Sequence, residues 1–288
     1  MSEPPIQDAP RPPSIWPSLL GPIAGLIAAV FASGIAILVV ALLSDPHMAK
    51  GDFAKHLADW NEANAASFPV IVATLLPAQV VFFGVALLFA AFDRERWQAR
   101  LGFVRWKVPF STVALAVVGT LGVHFAIGIV AEHLIHEPSD SLKLIGRMFT
   151  EPRGIAAVGV GLLMSALPGL CEESLFRGFM QRGLLRRWPP AVAIGLTSIL
   201  FALAHFDIQH SLAVLPLGAW LGYVAWKTGS VWPPVLCHFV NNGVAFVVMR
   251  MSEHPEKLES PDDPVYWIVG VILMAVAILA TRRLMKTV

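Results

Sequence analysis

Apolar positions along this chain come in long, nearly unbroken runs rather than in the short alternations of a soluble fold. Eight stretches stand out: about 17 to 43, 67 to 92, 108 to 131, 155 to 180, 190 to 206, 211 to 226, 231 to 250 and 265 to 281. A helix needs about 20 mostly apolar residues to cross roughly 30 Å of hydrocarbon, so these runs predict membrane-spanning helices. The fold class expected is all-α, a polytopic transmembrane helical bundle of about eight helices. The fifth and sixth runs are short and are separated only by a polar stretch around Asp207 and Gln209, so they could form a tilted or partly re-entrant hairpin. Two of the polar intervals, DFAKHLADWNEANAASF after the first run and EHLIHEPSDSLKLIGRMF after the third, could each form a short amphipathic helix at the interface. The first 16 residues are proline-rich and polar, with no basic stretch or small-residue cleavage site, and read as a disordered tail rather than a removable signal peptide. No internal repeat stands out, so residues 17–288 read as a single transmembrane domain.

Composition sharpens this picture. Of 288 residues, 56% are hydrophobic and 14% charged, far from the roughly 25% charged share of soluble domains. A formal net charge of +1 gives no basic footprint for a nucleic acid. The two cysteines, Cys171 and Cys237, both lie inside apolar runs, where they read as small buried hydrophobes rather than as a disulfide framework. Basic residues sort by loop. Arg94, Arg96, Arg100, Arg105 and Lys107 fill the second loop, Arg182, Arg186 and Arg187 the fourth, and Arg282, Arg283 and Lys286 the C-terminal tail. The odd loops dilute their few basic residues with Glu132, Glu137, Asp140 and Glu151 and with Glu253, Glu256, Glu259, Asp262 and Asp263. The excess of Lys and Arg marks the cytoplasmic side, so both termini are expected there, in a prokaryotic plasma membrane.

Strongly polar side chains inside apolar runs cost roughly 2.5 to 3.5 kcal/mol each on insertion scales, so each is a candidate for function. Three groups qualify. In Leu-Pro-Gly-Leu-Cys-Glu-Glu-Ser-Leu-Phe-Arg (167–177), helical spacing lets Glu173 and Arg177 pair while Glu172, about 100° around the helix, points elsewhere. In Phe-Ala-Leu-Ala-His (201–205), Phe201 stands one turn before His205 and can fix its ring. In His-Phe-Val-Asn-Asn (238–242), His238 and Asn242 project from one helical face and can both donate hydrogen bonds to one atom. Together these supply the parts of a water-activating hydrolase: Glu172 as general base, His205 to orient the water or carry its proton, and His238 with Asn242 to stabilise an oxyanion. Glu172, His205 and His238 also match the ligand set of a catalytic zinc site, so a divalent metal is compatible with the residues but not required by them.

Three such motifs in this order, Glu-Glu-x-x-x-Arg, Phe-x-x-x-His and His-x-x-x-Asn, resemble the intramembrane endopeptidases that include the type II CAAX prenyl proteases and the bacteriocin-processing and self-immunity proteins. All three match without substitution, over residues of about 155 to 250. The resemblance implies hydrolysis of a peptide bond in a membrane-associated peptide or protein, with the roles just given to Glu172, His205, His238 and Asn242. It leaves the cofactor open, since the family has been described both as metalloproteases and as metal-independent glutamate proteases. Two other functions use the same residues: a proton-coupled transporter with Glu172, Glu173 and His205 as a relay, and a low-turnover immunity or scaffold protein.

Single polar residues weigh less. His124 also falls in mid-run but has no matching motif and reads as structural. Trp220, Tyr223, Trp226 and Trp232 fit an interfacial aromatic belt. One depth problem accompanies the proposed site. His238 lies about seven residues from the basic-side start of its run, whereas His205 lies near the far end of its own, a difference on the order of 10 Å at 1.5 Å per residue. A tilted fifth segment, a fourth helix running on through Arg187, or a wrong boundary would each close the gap.

Overall fold

The computed structural model describes residues 14–252 and 264–287. Most of the N-terminal tail and the acidic residues Glu253, Glu256, Glu259, Asp262 and Asp263 lie outside the described residues. Each apolar run becomes a helix, and no strand occurs among the described residues. In chain order the elements are α1 (Trp16–Ser44), α2 (Phe53–Asn64), α3 (Phe68–Ala91), α4 (Trp97–Leu101), α5 (Phe110–Leu134), α6 (Asp140–Thr150) and α7 (Ile155–Glu173). A π-helical segment (Ser174–Gln181) and the single turn α8 (Arg182–Leu184) continue α7, and α9 (Pro190–Leu203), α10 (Ile208–Thr228), α11 (Trp232–Met251) and α12 (Pro264–Met285) follow.

Six of these helices are long and apolar enough to cross a membrane: α1, α3, α5, the continuous Ile155–Leu184, α11 and α12. The eight apolar runs therefore resolve into six candidate spans and one shorter pair. Helix α9 has 14 residues, about 21 Å at 1.5 Å per residue, which falls short of the roughly 30 Å of hydrocarbon. Helix α10 is longer, but Gln209, His210 and Lys227 lower its hydropathy. Their connection is brief because Asp207 caps α10 by accepting from the His210 backbone N–H at 2.8 Å, and Phe206 turns the chain with φ 53°, a left-handed conformation unusual for an aromatic residue.

Polar contacts between loops show which helix ends meet. At one end Arg100 donates to the carbonyls of Gly178 and Phe179, Arg186 pairs with Asp93, and Lys107 N–H donates to Thr228 O at 2.9 Å. Lys227 Nζ reaches Thr287 O there at 2.8 Å. At the other end the Gln209 amide bridges Glu137 O and the Ser139 N–H at 3.0 and 2.7 Å, and Arg250 holds the carbonyls of Phe149 and Pro152. The short pair α9–α10 thus runs between the same two ends as the long helices. The basic loops containing Arg100 and Arg186 gather at the first end together with the start of α1, where Arg100 Nη2 lies 3.5 Å from Ser18 Oγ. The two polar intervals expected to be amphipathic are helical: α2 buries no residue, while α6 packs Met148 and Phe149 inward, with Phe149 edge-on to Phe246 of α11 at 5.5 Å.

Helix contacts depend on small residues. Along α5, Gly119 and Gly122 face α12, and a Cβ at Gly122 would press into the Leu273 carbonyl while one at Gly119 would lie 2.9 Å from Ala277 Cα. In lipid, where tails are as apolar as leucine, such close backbone approach is a main source of helix association. Gly122→Val is therefore expected to lower the thermal midpoint in detergent by the equivalent of about 1 to 3 kcal/mol, the usual cost of overpacking. Gly128→Val, where no atom stands within 4 Å of the added Cβ, should leave it unchanged. Equal midpoints for the two variants would contradict this packing.

Candidate active site

Glu173 has 0% exposure, and its Oε1 receives Arg177 Nη1 at 2.7 Å and His238 Nδ1 at 2.9 Å. A carboxylate with no access to solvent must be matched by donors, and the helical spacing of four supplies the first of them. Arg177 spends its second amino group on the Gly218 carbonyl at 3.0 Å and lays its guanidinium over the Phe201 ring at 4.1 Å. Helices α7, α9, α10 and α11 thus meet on one buried charge pair. Close approach helps at Gly218, where a Cβ would stand 3.2 Å from the Phe201 ring.

Glu172 points the other way. It is half-buried, and its Oε1 accepts from Gln79 Nε2 of α3 at 2.9 Å. The neighbouring carboxylates therefore sit in different surroundings: one is locked by Arg177 and His238, and the other is held by a neutral amide. Gln79 itself is 4% exposed, and its Oε1 is buried without a hydrogen-bond partner. That leaves an acceptor beside Glu172 ready for a hydroxyl or a water. Gln79 did not stand out in the sequence because an amide carries no charge, yet it is the only amide side chain in the second apolar run.

His205 closes α9, and its Nδ1 lies 3.0 Å from Phe201 O. A carbonyl can only accept, so Nδ1 carries the proton and the lone pair resides on Nε2. The same bond folds the ring back along the helix toward Phe201. Phe201 neighbours both histidines, edge-on to His205 at 5.4 Å and to His238 at 6.0 Å. The fourth helix runs to Leu184 and stops short of Arg187. A third ring, His210 of α10, lies 4.4 Å from His205.

On α11, His238 and Asn242 each make one contact on α7, which leaves the His238 Nε2 and one Asn242 amide hydrogen uncommitted. His238 goes to Glu173, and Asn242 Nδ2 donates to Met164 O at 3.0 Å. The two side chains are one turn apart, about 6 Å along the axis, and α7 presents an acceptor to each. Asn242 Oδ1 accepts from Asn241 Nδ2, and Asn241 Oδ1 meets His124 Nδ1 at 3.0 Å. His124, read as structural, thereby joins the polar row on α11.

A zinc site fits these residues poorly. Among the described residues no three His, Cys, Asp or Glu side chains converge as metal ligands. His238 turns its Nδ1 to Glu173 rather than toward Glu172. Cys171 and Cys237 are buried and free.

Similar proteins point the same way as the motifs. Residues 154–244 match the family described as "Type II CAAX prenyl endopeptidase Rce1-like", a span that includes all three motifs. Over 121 residues the chain is 24% identical to "Putative membrane peptidase YdiL" of Bacillus subtilis (strain 168), an alignment covering 42% of this chain and 49% of that relative. The chain thus spans about half the length of the curated relative it matches. No solved structure matches it. The matched span holds all three motifs, so over residues 154–244 the chain is similar to the CAAX protease-like membrane proteases, and six of its helices are long and apolar enough to cross a membrane.

Proposed function

We propose that this protein is an intramembrane endopeptidase that hydrolyses a peptide bond in a membrane-associated peptide or protein by means of a water activated at Glu172. The observation that carries the reading is the split between Glu172 and Glu173. An ion pair with Arg177 and the bond to His238 occupy Glu173, which is then unsuited to proton transfer. Glu172 has only the Gln79 amide on one oxygen. A water bridging Glu172 and the unpartnered Gln79 Oε1 would donate one hydrogen to each, leaving an oxygen lone pair free to attack a carbonyl.

As the water attacks, Glu172 takes its proton and His205, through Nε2, holds or carries it on the side of the leaving group. Negative charge then develops on the carbonyl oxygen. His238 faces Glu173 with its Nδ1, which leaves Nε2 as the ring atom to meet that oxygen. The other amide hydrogen of Asn242, beyond the one on Met164, is the second donor. Proton return to the departing amine completes the cleavage. In this reading residues 17–288 form a single transmembrane domain with its catalytic core over about 155 to 250. The arginine-rich end faces the cytoplasm and carries both chain termini.

Glu172→Ala and His205→Ala are expected to reduce cleavage of a membrane-associated peptide by roughly 10² to 10⁴-fold, the usual worth of acid–base groups, while the extracted protein keeps its helical content and thermal midpoint. Cleavage at the native rate in both variants, or proton-gradient-driven flux without cleavage in proteoliposomes, would overturn the assignment. Gln79→Leu, which keeps volume but removes both polar atoms, should lower kcat by about 10- to 100-fold, as for a lost hydrogen bond to a charged group of about 1.5 to 3 kcal/mol, with little change in KM. A change confined to KM would place Gln79 in substrate binding instead.

A further inference from the structure

At the arginine-rich end, a cavity of about 290 Å³ lies between the π-helical segment, α8 and the turn from α10 to α11. Four guanidinium groups line it, those of Arg100, Arg177, Arg182 and Arg186, against one lining carboxylate, Glu95. Nearby acids account for three of the four cations. Arg100 and Arg186 share Asp93 at 2.8 Å each, Arg186 also takes Glu95 at 3.0 Å, and Arg177 takes Glu173. Among the described residues Arg182 makes no ion pair within 4 Å; it donates to the carbonyls of Ala99 and Gly229, at 3.1 and 3.3 Å, and feels the charge of Glu95 without direct contact. At the cavity's inner wall, Arg177 is buried and its Nε–H has no hydrogen-bond partner. The cavity is therefore lined by one cation without a direct ion pair and by one residue with an unmet buried donor. Crowding leaves a trace outside the spans: burial, together with the neighbouring charge of Arg186, pushes the Arg100 guanidinium down to about 10.

Such a space suits an oxyanion with several acceptors, since planar guanidinium forks match phosphate oxygens two at a time. Basic pockets between helices at the cytoplasmic end of membrane proteins meet phosphate on lipid headgroups. Trp226, 38% exposed at the lining, can flank such a headgroup as interfacial tryptophans do. We propose that the cavity formed by Arg100, Arg177, Arg182 and Arg186 binds a phosphate group, either that of an anionic phospholipid or a free phosphate. The bound group gives Arg182 its missing counter-charge and accepts from Arg177 Nε. Because Arg177 also holds Glu173, occupancy tethers the buried charge pair to the membrane face.

The full chain can be tested in nanodiscs of phosphatidylcholine alone or with phosphatidylglycerol, and in detergent with or without millimolar inorganic phosphate. The readouts are thermal midpoint and lipid retained in native mass spectrometry. The native protein should retain phosphatidylglycerol over phosphatidylcholine and melt higher with it, and Arg182→Gln should weaken retention about tenfold or more. Glu95→Gln, which removes the opposing carboxylate, should strengthen retention, so the inference does not hang on a variant that could fail to fold. A rise in midpoint with inorganic phosphate, lost in Arg182→Gln and without lipid retention, would assign the site to free phosphate. No effect of either ligand, or retention by Arg182→Gln equal to native with Glu95→Gln unchanged, would overturn the proposal.

Discussion

A carboxylate with no solvent exposure, placed among membrane-embedded helices, constrains everything around it. Glu173 can exist charged only because Arg177 stands one turn away and His238 meets the same oxygen from α11. Removing one partner of such a pair leaves an unmatched buried charge and costs about 3 to 5 kcal/mol. That penalty fixes the rotation of α7 against α11, and through the Gly218 carbonyl and the Phe201 ring it fixes α9 and α10 as well. The net gain over an apolar core of the same shape is small. What the pair supplies is register, and with register comes the direction in which Glu172 must point.

The stretch after Glu173 carries this order toward the arginine-rich end. All eight residues of the π-helical segment are buried, and Gly178 admits the Leu101 carbonyl so closely that a Cβ would lie 2.6 Å from it. π-Helical turns are uncommon and concentrate at functional sites. Here the segment places Arg177 where it faces Glu173 on one side and the cavity on the other, so two polar regions share one guanidinium. Phe201 has a comparable double role. It receives the cation on its face and stands edge-on to both His205 and His238.

Much of this was legible in the sequence because its signals are local. Runs of apolar residues announce helices, and spacing of four announces that Glu173 and Arg177 share a face. Contacts between distant elements were not legible. Which helix approaches Glu172 depends on packing of α3 against α7, so Gln79 stayed hidden in its apolar run. Whether His238 meets Glu172 or Glu173 depends on a rotation of α11 that periodicity does not encode, and the same rotation sends Asn242 to Met164. The polar row from His124 through Asn241 to Asn242 joins α5 to α11 across 117 positions of sequence. The short α9 was visible as a short run, but its ability to reach both ends through capped, tightly turned termini was not.

The division of labour between adjacent carboxylates is the central claim, and isosteric neutralisation of each separates chemistry from scaffold. Thermal midpoint and cleavage rate would be measured together for Glu172→Gln and Glu173→Gln in the same detergent. The account predicts that Glu172→Gln melts at the native temperature yet fails to cleave, whereas Glu173→Gln melts well below it. A native midpoint for Glu173→Gln, or substantial cleavage by Glu172→Gln, would contradict the account.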